Sequence, residues 1–170
     1  MANETFIIPN VTAMYPKIDK TYRYDEKVGE KGGWVECKAT EAGAMYKINF
    51  IMEQSLAEDL YTRMEKVYAE SRKANWPEEL KAPTDIFKET DDGDWEGSAN
   101  IKGQYSNRIV PVPDKFDADA NLLPKDFQLT TGSTVNIMIE FVPYRMAKDN
   151  YGVSLRLRQV QVIKLAERQT

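Results

Sequence analysis

The fold of this chain is decided by residues 132–165, which read GSTVNIMIEFVPYRMAKDNYGVSLRLRQVQVIKL. Apolar residues alternate with polar ones in both halves of this stretch, at Val135, Ile137, Ile139, Phe141, Val153, Leu155 and Leu157. A period of two is typical of β-strands that bury one face. The stretch therefore predicts a β-hairpin, with residues Pro143–Tyr151 as the loop that connects its strands.

The predicted loop carries residues that a hairpin does not need for its stability. Two tyrosines, Tyr144 and Tyr151, stand beside Arg145 and Lys148. Aromatic rings stack on nucleic-acid bases, and cations neutralise phosphates. The loop therefore predicts a contact with nucleic acid.

Length and composition place the chain among ordinary globular proteins. Its 170 residues are 42% hydrophobic and 29% charged, which suits one domain over residues 1–170 with its own core. No apolar run approaches the roughly 20 residues of a membrane helix, and the N-terminus lacks the pattern of a secretion signal. One cysteine, Cys37, excludes an internal disulfide and fits a reducing compartment, so we expect a cytoplasmic protein.

The absence of histidine makes an enzyme improbable. Histidine is the commonest metal ligand and the commonest general base at neutral pH, and the chain has none. The carboxylates form no recognisable acid/base pair, and Asp91, Asp92 and Asp94 lack the spacing of a calcium loop. We therefore expect a non-enzymatic protein without a metal or another cofactor.

The net charge of −4 hides a polarised distribution. Residues 128–170 hold six cations against three acids, whereas residues 76–127 hold six cations against twelve acids. A basic surface that is segregated from an acidic one can still bind a polyanion.

The remaining pattern predicts a mainly β fold with one long helix. The other predicted elements, in chain order, are strand 6–24, short strand 34–38, strand 44–52, a helix from Ser55 to about Asn75, a long loop 77–94, strand 95–105 and strand 109–112. Ser55 and Glu58 are predicted to form a capping box at the helix start. The order favours a five-stranded oligonucleotide-binding (OB) Greek-key barrel with long loops and with its helix after the second strand. A β-sandwich with one helix is the alternative.

An OB barrel takes its ligand on strands 2 and 3 and in the loops that join strands 1–2 and 4–5. Each of these places offers aromatic or basic side chains, and stacking contributes about 1–3 kcal/mol per base. Arg156 and Arg158 are two apart on the last strand and are expected on the same side. The candidate nucleic-acid-binding residues are Tyr22, Tyr24, Lys47, Lys102, Tyr144, Arg145, Lys148, Arg156 and Arg158.

Two motifs carry a resemblance to a known family. The hairpin motif Val142-Pro143-Tyr144-Arg145, with its closing strand Val160–Leu165, resembles the C-terminal hairpin of phage single-stranded DNA-binding proteins of the T-odd podophage type. The run Ala44–Asn49, followed directly by the long helix, is similar to the second strand of that family. The resemblance extends from about Tyr15 to Leu165.

This resemblance implies an OB-fold protein that coats single-stranded DNA during phage replication, recombination and repair. It also implies annealing activity, a homodimer, and contacts with the phage DNA polymerase and primase-helicase. Members of that family end in an acidic tail, which either lies beyond Thr170 or is lacking in this member. Tyr144 stands at the family's stacking tyrosine, Arg145 at its neighbouring cation and Lys102 near a DNA-binding lysine. Two other classes stay open: a β-sandwich structural or interaction module of a phage particle, and an enzyme acting on nucleotides or sugars.

Overall fold

A computed structural model of the chain describes residues 4–147 and 149–167. The elements, in chain order, are β1 (Thr5–Asp25), β2 (Gly33–Glu36), β3 (Met45–Met52), α1 (Gln54–Ser71), α2 (Pro83–Ile86), β4 (Lys88–Glu89), β5 (Trp95–Lys102), β6 (Gln104–Tyr105), β7 (Arg108–Ile109), β8 (Asp114–Phe116), β9 (Thr134–Ala147) and β10 (Asn150–Lys164). The mainly β fold with one long helix after the early strands is confirmed.

Five strands close into a barrel in the order β1-β3-β5-β10-β9, with β9 returning to β1. All of these contacts are antiparallel except the one between β5 and β10, where Asn100 is paired with Arg156 in parallel. This is the strand order of an OB barrel. A β-sandwich is excluded for the described residues, because the sheet closes on itself and does not pack against a second large sheet.

The alternation seen in the sequence sorts side chains between the barrel interior and its outer face. On β3, Tyr46, Ile48 and Phe50 are buried, whereas Lys47 and Asn49 are only partly covered. The same period runs along β9 and β10 and supplies the other walls of the core. Functional side chains on these strands must therefore lie on the outer face.

Strand β1 pairs with three other strands, and its register is irregular at three places. Along β3 the register shifts between Lys17 and Tyr22 and between Met14 and Lys17, and along β9 it shifts between Ile8 and Val11. Pro9 and Pro16 fall within these shifts, where a missing N–H removes no ladder hydrogen bond. The two prolines are thus accommodated at bulges and not in the regular ladder.

Helix α1 follows β3 as predicted, but its two ends differ from the prediction. The helix begins at Gln54 with Glu53 as N-cap, and no side chain caps it, so the predicted capping box is wrong. The helix begins one residue earlier than the Ser55 pattern indicated, whereas β3 ends at Met52 as predicted. The helix ends at Ser71, before Pro77, because Arg72 already adopts an extended conformation.

The terminal hairpin has a tighter turn than its sequence suggested. Strand pairing continues from Pro143–Val153 through Arg145–Tyr151 to Ala147–Asn150, so most of the predicted loop is strand. The ladder can continue because every residue of this run except Pro143 has a backbone N–H to donate. Two further small elements, α2 and β4, lie inside the predicted loop 77–94, and β8 was not predicted.

Neither helix in the described ranges is both long and apolar enough to cross a membrane.

Candidate nucleic-acid interface

An indole ring on the outer face of the barrel gathers two lysines. Trp34 of β2 lies beside β1, and Lys17 and Lys47 come from β1 and β3. Their ammonium groups lie 5.4 and 5.1 Å from the indole centroid. Lys17 and Lys47 are also cross-strand partners. Burial, followed by repulsion from Lys47, lowers the pKa of Lys17. An anion placed here would relieve that repulsion.

Strand register continues this basic patch around the barrel. Lys47 is opposite Asn100 of β5, and Asn100 is opposite Arg156 of β10. On its other side, Arg156 is opposite Glu140 of β9, and its guanidinium nitrogen lies 3.5 Å from the carboxylate oxygen. Residues opposite each other share a face of the sheet. Lys47, Asn100 and Arg156 therefore form one outward row across β3, β5 and β10.

Tyr105 brings a further cation, Lys102, next to this row. The guanidinium of Arg156 lies 4.9 Å from the Tyr105 ring centroid, and the ammonium of Lys102 lies 5.9 Å from it. Tyr105 belongs to β6, which turns back against β7 directly after β5. Each of the two aromatic rings, Trp34 and Tyr105, thus has two cations close to it on the outer face.

Tyr144 and Arg145 lie on opposite faces of the hairpin because they are adjacent on β9. Tyr144 is opposite Gly152, and a Cβ added to Gly152 would come within 3.3 Å of the Tyr144 hydroxyl. The missing side chain at Gly152 therefore lets the phenol ring lie close over β10. Tyr144 shares its face with Glu140, two pairs further along the strand.

Arg145 faces helix α1 and the segment after it. Its strand partner is Tyr151, whose ring centroid lies 5.8 Å from that of Tyr68. The ammonium of Lys81 lies 5.1 Å from the Tyr151 ring centroid. The charge of Arg145 acts on the Tyr68 hydroxyl. Arg145 Nε is buried and has no hydrogen-bond partner among the described residues. The inner side of the hairpin is thus packed against the rest of the protein.

Hydrogen bonds tie the same side of the hairpin to the segment after α1. Lys81 Nζ donates to the Asp149 carbonyl at 2.6 Å, and the Tyr151 hydroxyl donates to the Glu79 carbonyl at 3.2 Å. These contacts fix the orientation of the hairpin, and with it the outward position of Tyr144.

The remaining predicted residues are distributed around the same surface. Tyr24 is exposed, donates its hydroxyl to the Lys31 carbonyl, and meets Trp34 edge to face at 5.8 Å. Tyr22 is half-buried, and burial together with a 3.0 Å hydrogen bond to Asp19 raises its pKa. Lys148 lies outside the described residues.

Arg158 is exposed but separated from Arg156. The register of β10 along β9 shifts between Leu157 and Gln159, which places Arg158 in a bulge. It lines a cavity of about 420 Å³ together with Glu140, residues 110–114 and Lys125. The expected pairing of Arg156 and Arg158 on one side is therefore interrupted by this bulge.

The interface includes residues that the sequence prediction omitted from the site. Lys17, Trp34 and Tyr105 were not among the candidate residues. The position of Lys17 directly after Pro16 was the one available signal, since a bulge re-aims the residues that follow it.

This surface combines clustered cations with two half-buried aromatic rings, Trp34 and Tyr105. Among residues 4–147 and 149–167, no group of three or more His, Cys, Asp or Glu side chains is placed to hold a metal ion. The row offers ammonium and guanidinium groups to phosphates and two rings to bases.

Comparisons with known proteins show the same architecture in phage proteins. No family model and no curated protein matches the chain. Among solved structures, gp2.5, a single-stranded DNA-binding protein encoded by bacteriophage T7, matches with a TM-score of 0.68 and 19% identity, covering 98% of this chain and 95% of that one.

The single-stranded DNA-binding protein of bacteriophage Enc34, in complex with single-stranded DNA, matches with a TM-score of 0.63 and 20% identity, covering 98% of this chain and 89% of that one. A C-terminal truncation of the Enc34 protein matches with a TM-score of 0.65 and 17% identity, covering 97% of this chain and 88% of that one. The resemblance seen in the sequence is thereby confirmed: this chain has the fold of the phage single-stranded DNA-binding proteins.

Proposed function

We propose that this protein binds single-stranded DNA without sequence preference. The observation that carries the proposal is the outer row, in which Lys17 and Lys47 lie over Trp34 while Lys102 and Arg156 lie over Tyr105. Stacking on a ring works for every base, and neutralising phosphates releases counterions whatever the sequence. The fold shared with phage single-stranded DNA-binding proteins supports the same ligand.

The candidate residues take different parts in this proposal. Lys47, Lys102 and Arg156 contact phosphates along the row, and Tyr144 stacks a base beside it. Tyr24 supports Trp34, while Tyr22 lies next to the row on β1. Arg145 holds the hairpin against α1, Arg158 adds positive charge at the margin, and Lys148 contributes one further positive charge.

The wider role follows from the resemblance. We assign the protein to phage DNA replication, recombination and repair in the cytoplasm of an infected bacterium, as one OB domain over residues 1–170. It acts without catalysis and without a cofactor. The phage DNA polymerase and primase-helicase are its proposed protein partners, and a homodimer is its proposed assembly.

Fluorescence anisotropy with labelled oligo-dT at about 50 mM salt tests the DNA proposal. We expect binding that weakens steeply as salt rises and that exceeds binding to duplex DNA. Trp34→Ala should weaken binding by roughly 5-fold to 150-fold, because one stacked base contributes about 1–3 kcal/mol. Trp34→Phe keeps a ring and should retain most of the affinity. Absence of any oligo-dT binding by the wild-type protein would overturn the proposal.

A further inference from the structure

Tyr15 occupies a backbone conformation that its side chain disfavours. Its φ is +48°, in the left-handed region that bulky residues rarely adopt, and it lies in the β1 bulge between Met14 and Lys17. Glycine or asparagine would fit this position with less strain. Strain of this kind persists where surrounding structure enforces it, and it is concentrated at functional sites.

The neighbouring loop holds this strained conformation in place. The Tyr15 N–H donates to Thr131 Oγ1 at 3.0 Å, and the Gly132 N–H donates to the Ala13 carbonyl at 2.8 Å. The Ala13 N–H in turn donates to the Ser133 carbonyl at 2.8 Å. Tyr15 and the start of the bulge at Ala13 are therefore fastened to the loop that precedes β9.

The strain does not serve to bury the ring. Tyr15 is 60% exposed, so its phenol contributes little to the core. The ring instead stands beside Lys17, whose ammonium lies 5.9 Å from the Tyr15 centroid and 5.4 Å from the Trp34 centroid. Lys17 Nζ also donates to the Tyr15 carbonyl at 3.2 Å, which keeps the ammonium close to both rings.

A cleft lies beyond this ring. It has a volume of about 510 Å³ and is lined by Tyr15, Lys17, Tyr22 and the loop Leu129–Gly132. A volume of this size suits a small organic group such as a nucleotide. Hydroxyl groups of the loop and the Lys17 ammonium supply polar partners at its wall.

We propose that Tyr15 is a second stacking platform for single-stranded DNA. The strand runs from Trp34, where Lys17 binds a phosphate, over the Tyr15 ring and into the cleft between the β1 bulge and the loop Leu129–Gly132. This inference rests on the proposed function of the outer row and extends its path beyond the barrel face. The bulge presents the ring to DNA at the expense of backbone strain.

The test uses a variant that should separate folding from binding. Tyr15→Asn removes the ring but suits the left-handed backbone, so we expect a melting temperature equal to or above that of the wild type. Tyr15→Phe is the matched control, which keeps the ring and should keep the affinity. Dissociation constants are measured for oligo-dT of increasing length, from about 4 to 16 nucleotides, the range of OB-fold sites.

We expect wild type and Tyr15→Phe to gain affinity once the oligonucleotide is long enough to pass Trp34. Tyr15→Asn should lose this gain, with a loss of about 5-fold or more, while its affinity for the shortest bound oligonucleotides stays unchanged. Equal affinity of Tyr15→Asn and wild type at every length would overturn the inference, and so would an equal loss at every length. Absence of wild-type binding at all lengths would instead refute the proposed function.

Discussion

Lys17 and Lys47 come from neighbouring strands and place their ammonium groups over the same indole ring, 5.4 and 5.1 Å from the centroid of Trp34. Burial, and after it the repulsion between these two cations, lowers the pKa of Lys17. The indole offsets part of this repulsion, since each cation–π contact at an exposed site contributes about 0.5–1 kcal/mol. A DNA phosphate would offset more of it.

The first prediction concerns the salt dependence of DNA binding. Lys47→Gln should weaken oligo-dT binding and reduce the slope of log K against log salt by about 0.7, the value for one phosphate contact on a single strand. Lys66→Gln is the matched control, because Lys66 is an exposed lysine of α1 outside the row. Anisotropy titrations at four or more salt concentrations give both slopes. Equal slopes for the two variants would remove Lys47 from the interface.

The second prediction separates the two adjacent residues of the hairpin. Tyr144→Ala should weaken oligo-dT binding by roughly 5-fold or more and leave the melting temperature nearly unchanged, because the ring lies on the outer face. Arg145→Ala should lower the melting temperature and change affinity less, because Arg145 lies on the inner face of the hairpin, where its Nε is buried. Thermal unfolding followed by circular dichroism, together with anisotropy, measures both effects. The reverse pattern would contradict this assignment of faces.

The third prediction concerns Lys115, a buried lysine. Its ammonium donates to the carbonyls of Ile18 at 2.7 Å and Pro113 at 3.2 Å. Burial lowers the pKa of Lys115 from 10.5 to about 8. Between these two values the unfolded chain binds a proton that the folded protein has released, so stability must rise with pH.

The comparison with Lys115→Met isolates this contribution. From pH 7.5 to 9.5, the free energy of unfolding of the wild type should increase relative to that of Lys115→Met, by at most about 1.4 kcal/mol per pH unit. Urea unfolding at several pH values measures the difference, and groups common to both proteins cancel. A difference that stays constant with pH would show that Lys115 keeps an ordinary pKa.

The fourth prediction concerns the tight packing behind the row. A Cβ at Gly103 would lie 2.8 Å from the Ala39 carbonyl oxygen and 3.0 Å from Thr21 Cγ2. Gly103→Ala should therefore destabilise the fold by about 1–3 kcal/mol, since a backbone atom cannot give way easily. At Gly33 the nearest atom, Val28 Cγ1, is 3.4 Å away, so Gly33→Ala is the control and should change stability by less than about 0.5 kcal/mol. Equal stability of the two variants, measured by urea unfolding, would refute the predicted clash.

Local patterns in the sequence determined the strands, the helix and their order. Alternation at Ile48, Phe50, Ile137 and Ile139 separates buried from outer positions without any knowledge of neighbours, because each strand has its own period of two. The same rule assigned Lys47 to the outer face. These inferences needed only residues that are close in the chain.

Only the tertiary structure decided which outer residues meet. Asn100 and Arg156 become neighbours through the parallel contact that closes the barrel, and Lys17 reaches Trp34 because β1 bends at a bulge. Strand pairing over long sequence distances and a left-handed backbone at Tyr15 leave no periodic signal in the chain. The sequence thus determined the strands and the outer position of Lys47, whereas the closure of the barrel and the bulges brought the aromatic rings and cations together.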